Sequence, residues 1–237
     1  MRIKNDFKTA EYYQSNLDHI QNNISRYRQI LEKEERTYLY VSIQEDMKDI
    51  VQLKYILGYE ISDIREQVEE YIKALKESCE HSKNPITYNQ MAYALSYAYL
   101  FGIDSEEVEF VNHYKMPESF VDIMLDIIRN VMFKGRAYSA KTFYNKDTGF
   151  NGNSTKSKGG MVDVYNAPQE ERTELFVKYL SDVKHKHHKK LINNYKTLTE
   201  DRYLYLPYDF LLTAVAKALN IDKEKIKDSV CIADELI

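Results

Sequence analysis

The sequence predicts an all-α protein, an antiparallel bundle of about nine or ten helices in two helical halves joined by a Gly/Asn/Ser-rich loop. Three observations carry that prediction. Seven Gly and four Pro in 237 residues leave little turn chemistry for a many-stranded sheet. Apolar residues recur at helical spacing, beginning with Tyr13, Leu17, Ile20, Ile24, Tyr27 and Leu31 at intervals of 4, 3, 4, 3 and 4. One phrase is also used twice. An Ala- and aromatic-rich run over 91–101 stops at Gly102-Ile103-Asp104-Ser105-Glu106-Glu107-Val108, and 211–219 stops at Asn220-Ile221-Asp222-Lys223-Glu224-Lys225-Ile226. Each copy reads as a buried helix, a residue suited to the left-handed conformation, and a new helix whose Asp offers a side-chain acceptor to the first free amides.

The seam from Tyr13 to Leu31 defines a long first helix with Asp6 as its cap. Spanning less than three heptads, it suits packing within a bundle better than an extended coiled coil. A second helix runs over about 38–57 and ends at Gly58. A third follows Ser62, with Ile64, Val68, Tyr71, Leu75 and Cys79 on one face and Asp63, Glu66, Glu69, Glu70 and Glu77 on the other. Asn84-Pro85 breaks the chain before the 91–101 helix, which is hydrophobic nearly all round and therefore central. A short helix after Asp104 leads to Met116-Pro117-Glu118, where Pro at the first helical position starts a helix burying Phe120, Met124, Ile127, Ile128 and Val131.

Residues 145–166 interrupt the pattern, with Gly149, Gly152, Gly159 and Gly160 set among Asn, Ser, Thr and Lys. They read as a flexible loop between an amino-terminal half, 1–144, and a carboxy-terminal half, 167–237. Asn166-Ala167-Pro168 then caps a helix burying Leu175, Phe176, Tyr179, Leu180 and Val183. Pro207 opens the second copy of the repeated phrase, and a short helix finishes the chain.

Composition bounds the function. Hydrophobic residues at 43% and charged residues at 30% describe a folded, soluble chain, with 21 Tyr, 9 Phe and no Trp. Tyr in such numbers fits helices that bury the ring and wet the hydroxyl. Cys79 and Cys231 are far apart and read as two reduced thiols. The start, Met1-Arg2-Ile3-Lys4-Asn5-Asp6, has no apolar signal core, and the 91–101 run is too short to span a bilayer. The expectation is a cytoplasmic protein with no membrane partner.

Motifs for chemistry are lacking. Thr155-Lys156-Ser157-Lys158-Gly159-Gly160 lacks the spacing of a phosphate-binding loop. His185 and His188 share a helix face within Lys184-His185-Lys186-His187-His188-Lys189-Lys190, but four lysines repel a cation and no further ligand stands near. Neighbouring carboxylates such as Glu66 with Glu69 or Glu70 lie on a polar face, where general acid–base work has no cleft. No cofactor, no metal and no enzymatic activity are expected. A nucleic-acid partner is disfavoured by the net charge of −4.

That net charge conceals segregation. From Glu60 to Asp126 there are 14 Asp/Glu and 5 Lys/Arg, a balance of −9; from Ile127 to Leu204 there are 8 and 15, a balance of +7. Blocks of this size steer charged partners over a Debye length of about 8–10 Å.

In their order along the chain, several segments resemble one family. They are the Tyr-rich first helix, Leu57-Gly58-Tyr59-Glu60-Ile61-Ser62-Asp63-Ile64, Tyr88 through Glu106, Ser119 through Ile128, and Phe210 through Ile226 with the closing Asp234-Glu235-Leu236-Ile237. The set is similar to the PoNi immunity proteins, all-α cytoplasmic antidotes to the PoNe class of polymorphic DNase toxins delivered between competing bacteria. The chain departs from that family in having no Trp, and Ala233 where a proline is usual. The resemblance implies a non-enzymatic protein whose partner is a cognate nuclease toxin. A nuclease holds a polyanion, so its active-site rim is expected to be basic, and the acidic block is its complement. Candidate toxin-binding residues are Tyr59, Glu60, Asp63, Glu66, Glu69 and Glu70 around the third helix. The joint adds Asp104, Glu106, Glu107 and Glu109, and Tyr114, Glu118 and Asp122 follow it. The competing reading is a helical adaptor that binds another protein without a toxin partner. Monomer and dimer both remain open.

Overall fold

Short connections fold the first three helices back on one another. The computed structural model describes residues 8–82, 86–112, 123–134, 155–181, 204, 206–227, 229 and 231–237, with the side chains of 155–159 excepted. In chain order, α1 is Ala10–Leu31, α2 is Thr37–Ile56, α3 is Ile61–Ser82, α4 is Tyr88–Phe101 and α5 is Ser105–Val108. A 3₁₀ turn, Glu109–Asn112, extends α5. Then come α6, Ile123–Met132; α7, Thr155–Asn166; α8, Gln169–Tyr179; and α9, Phe210–Ala218, with 3₁₀ turns at Lys223–Lys225 and Asp234–Leu236. Among the described residues all regular structure is helical, as expected, and no helix is long and apolar enough to cross a membrane.

Local chemistry starts these helices. The cap of α1 is Thr9, whose side chain accepts the Tyr12 N–H at 3.2 Å; Asp6, the expected cap, lies outside the described residues. At α4, Thr87 and Gln90 form a capping box: the Gln90 N–H donates to Thr87 Oγ1 at 3.3 Å and the Thr87 N–H donates to Gln90 Oε1 at 2.9 Å. Gln90 also ties this end into the bundle, because its Nε2 donates to Gln44 Oε1 of α2 at 2.8 Å.

α4 is central, as its composition predicts, with Met91, Ala92, Ala94, Leu95, Tyr97, Ala98, Leu100 and Phe101 all buried. It packs on α3, α6 and α9. The last of these contacts joins the two halves in one core: the Phe210 ring stands edge-on to Tyr97 at 5.2 Å and to Tyr55 at 5.5 Å. Two tyrosines depart from the expectation of a buried ring and a wet hydroxyl. Tyr71 and Tyr97 are fully buried, and their hydroxyls donate to the backbone carbonyls of Gln90 at 3.4 Å and Lys48 at 3.3 Å.

Two further expectations are corrected. Within the 145–166 stretch, Thr155–Asn166 is helix α7, with Met161 and Val164 buried, while 145–154 lie outside the described residues. Glycine serves close packing there: a methyl group on Gly160 would meet the Tyr179 ring of α8 at 3.0 Å, tighter than ordinary contact. Val131, expected inside, is 38% exposed, while Ile123 and Leu125 are buried with Met124, Ile127 and Ile128. Phe120 and Val183 lie outside the described residues, as do His185 and His188. Cys79 and Cys231 are both buried, and neither is in a disulfide.

The two charge blocks meet inside the protein. Asp126 and Arg129, side chains 5% and 11% exposed, form an ion pair at 3.2 Å. The Arg129 Nε also donates to Asn112 Oδ1 at 3.1 Å, holding α6 against the 3₁₀ turn that follows α5.

Candidate functional site

Among the described residues the helix–joint–helix phrase occurs three times, once more than the sequence suggested. Gly58 has φ 72°, Gly102 φ 69° and Asn220 φ 52°, all left-handed. In each joint the residue after the left-handed one donates its N–H across the helix end: Tyr59 to Lys54 O at 3.0 Å, Ile103 to Ala98 O at 2.9 Å, Ile221 to Ala216 O at 3.0 Å. An acid follows in every case, Glu60, Asp104 or Asp222, and then the next helix. Gly58-Tyr59-Glu60 carries the signal openly, but Tyr and Glu stand where the other copies have Ile and Asp.

The acids are not used alike. The Asp222 side chain accepts the Glu224 N–H at 3.0 Å, as expected for a cap. Asp104 does not cap: its backbone is extended at φ −61° and ψ 140°, yet its carboxylate takes no N–H of α5. The surroundings differ as well. At the Asn220 joint, α8 clamps the backbone, with Gln169 Nε2 donating to Leu219 O and Asn220 O at 3.2 Å each and Thr173 Oγ1 accepting the Asp222 N–H at 3.1 Å. At the Gly102 joint there is open space on both sides. A groove of about 800 Å³ separates it from α3, and a smaller cleft of about 240 Å³ lies toward Met132 of α6. Ile103 and Asp104 line both, so this joint is a ridge between two hollows.

The larger groove unites residues far apart in sequence. One wall is Asp104, Glu106 and Glu107, all exposed and without an ion pair among the described residues. The other is a stripe of α3 running from Arg65 to Lys76. Ile72, Ile103 and Phe110 supply apolar surface between the walls, the first two only 4% and 7% exposed. The α3 wall is not the acidic face its composition suggested. Glu69 pairs with Arg65 at 3.3 Å and Glu70 with Arg28 of α1 at 3.5 Å, while Lys73 and Lys76 are left without an ion pair among the described residues.

Of the candidate residues, the groove thus gathers Glu69, Glu70, Asp104, Glu106 and Glu107. Asp63 and Glu66 are exposed on α3 outside it, because their positions are turned from the 65, 69, 72/73, 76 stripe. Glu60 is exposed at the first joint, where its carbonyl accepts the Ile64 N–H at 3.1 Å. Tyr59 is half-buried beneath Lys54, whose Nζ lies 5.8 Å from the ring centre. Glu109 is half-buried in the 3₁₀ turn, and Tyr114, Glu118 and Asp122 lie outside the described residues. Lys73, Lys76 and Phe110 were missed. The i, i+3 spacing of the two lysines was visible, but only their neighbours across the groove give it meaning.

This arrangement of helices is similar to that in the crystal structure of protein PA2201 from Pseudomonas aeruginosa. The two align with a TM-score of 0.64 over 94% of this chain and 86% of that one, at 10% sequence identity. Likeness at that identity concerns the fold alone. No protein-family model matches the chain, and no curated protein matches it.

Proposed function

We propose that this protein is an immunity protein that neutralises a cognate bacterial nuclease toxin by one-to-one binding. The acids of the Gly102 joint cover the toxin's basic active-site rim and keep nucleic acid out. The observation that carries this reading is the unequal use of equivalent acids. Asp222 is engaged in capping, and its joint is clamped by α8. Asp104, at the matching position, is released from capping and stands with Glu106 and Glu107 on an open ridge. Carboxylates that the fold does not use, projecting beside an open groove, suit capture of a cationic surface. The resemblance of the sequence to PoNi proteins supports the same reading independently of this geometry.

This reading requires a nuclease toxin domain encoded beside this gene, and the test is co-expression with that domain. Wild-type protein rescues growth, and the triple variant Asp104→Lys/Glu106→Lys/Glu107→Lys does not, although its circular dichroism is unchanged. Death of cells expressing the wild type overturns the function. Full rescue by the triple variant overturns the surface. Stable binding without neutralisation assigns the protein to the helical adaptors instead.

A further inference from the structure

The groove between α3 and the Gly102 joint carries both signs of charge, one on each wall. The joint contributes three carboxylates without ion pairs among the described residues, Asp104, Glu106 and Glu107. On the facing stripe of α3 the acids are already held by arginines, leaving Lys73 and Lys76 as the available charges. The two walls therefore present about −3 against +2, separated by a narrow apolar floor.

We infer that the groove receives a partner segment of matching mixed charge. That segment has Lys or Arg directed at the joint, Asp or Glu directed at Lys73 and Lys76, and an apolar side chain set on Phe110. For the identity of the partner, the inference rests on the immunity reading above. Chemistry excludes other occupants. The lining residues carry five carboxylates against three cations, Arg65, Lys73 and Lys76, and this net negative balance disfavours a phosphate backbone. Only three of the eleven lining residues are apolar, whereas small-molecule pockets are mostly apolar. From Arg65 to Lys76 the stripe extends about 17 Å at 1.5 Å per residue, the length of three helical turns or of about five extended residues. A uniformly basic segment would meet repulsion from Lys73 and Lys76, and a uniformly acidic one from the joint. The groove therefore selects its partner by the order of charges across the segment, on top of net attraction.

The experiment measures binding of this 237-residue chain to its cognate nuclease domain, the one whose toxicity it abolishes on co-expression, in catalytically inactivated form, by titration calorimetry or surface plasmon resonance. Glu106→Lys/Glu107→Lys and Lys73→Glu/Lys76→Glu are the variants, all four positions being exposed. Both are expected to weaken binding by about tenfold or more, the first chiefly through a slower, salt-dependent association. Binding that tightens or stays the same in Lys73→Glu/Lys76→Glu, while Glu106→Lys/Glu107→Lys weakens it, overturns the mixed-charge inference and leaves the immunity reading intact. Absence of binding by the wild type overturns both. A wild-type dimer in sedimentation that either variant dissociates overturns the inference by making the groove a contact between two copies of this chain.

Discussion

Replacing Gly102 with alanine isolates the backbone cost of the joint that carries the site. Gly102 sits at φ 69° and ψ 36°, and a Cβ added there meets no heavy atom within 4 Å. The steric contribution is therefore nil, and what remains is the left-handed conformation, which costs an L-residue about 1–2 kcal/mol. Alanine also stiffens the unfolded chain, which returns about 0.4–1 kcal/mol. The net expected loss is about 1 kcal/mol, a fall in melting temperature of about 2–4 °C for a chain of this size. In urea titrations followed by far-ultraviolet circular dichroism, the midpoint drops by about 0.3 M with an unchanged slope. Gly102→Asn is the control. Asn220 holds the matching joint at φ 52°, so asparagine loses less than half as much as alanine. The reasoning is refuted if Gly102→Ala is as stable as wild type, or if alanine and asparagine lose the same amount.

Two other predictions concern buried charge. Burial pushes the Asp46 carboxyl from its ordinary 3.8 up to about 6, Asp49 adds to the rise, and His19 and Lys48 oppose it. One of its oxygens, Oδ2, is buried without a hydrogen-bond partner among the described residues. Because its folded pKa is raised, the native state binds more protons than the unfolded chain between about pH 4 and 6, so stability falls as pH rises through that window and stays lower above it. Asp46→Asn is expected to gain about 1 kcal/mol at pH 7, less than the ~3 kcal/mol of the full shift because the group is partly solvated, and to flatten the profile from pH 4 to 6. Urea midpoints at several pH values check this, and a loss of stability at pH 7 contradicts it. Arg129→Met removes the cation from buried Asp126 and is expected to cost about 3–5 kcal/mol, while Asp126→Leu/Arg129→Met recovers most of that loss. Thermal denaturation of the two variants decides it, and a double variant no better than the single one refutes the charge argument.

Much of the fold was legible because its signals are local. The 4-3-4-3-4 seam of α1 and the all-round apolarity of α4 each report burial from one segment alone. Gly102 and Asn220 announced left-handed joints because few residues accept that conformation without strain. Gly159-Gly160 misled for the opposite reason. Glycine marks either flexibility or close approach, and only the Tyr179 ring against Gly160 distinguishes the two. The spacing of Val131 places it on the buried face, but the packing of α6 on α4 and α9 leaves it outside.

For the site, the acids were legible and their grouping was not. The sequence by itself determined that acids crowd α3 and the Gly102 joint, because charge is a property of each residue. Only the tertiary structure decided which of them act together. Glu69 and Asp104 line one groove because α4 carries the joint back to α3, and the way α3 is turned puts Lys73 and Lys76 there instead of Asp63 and Glu66. Whether Asp104 caps its helix or stands free was also decided there. The same residue type after the same left-handed turn either closes on the next amide or does not, and α8 clamps the joint at Asp222 while open space flanks it at Asp104.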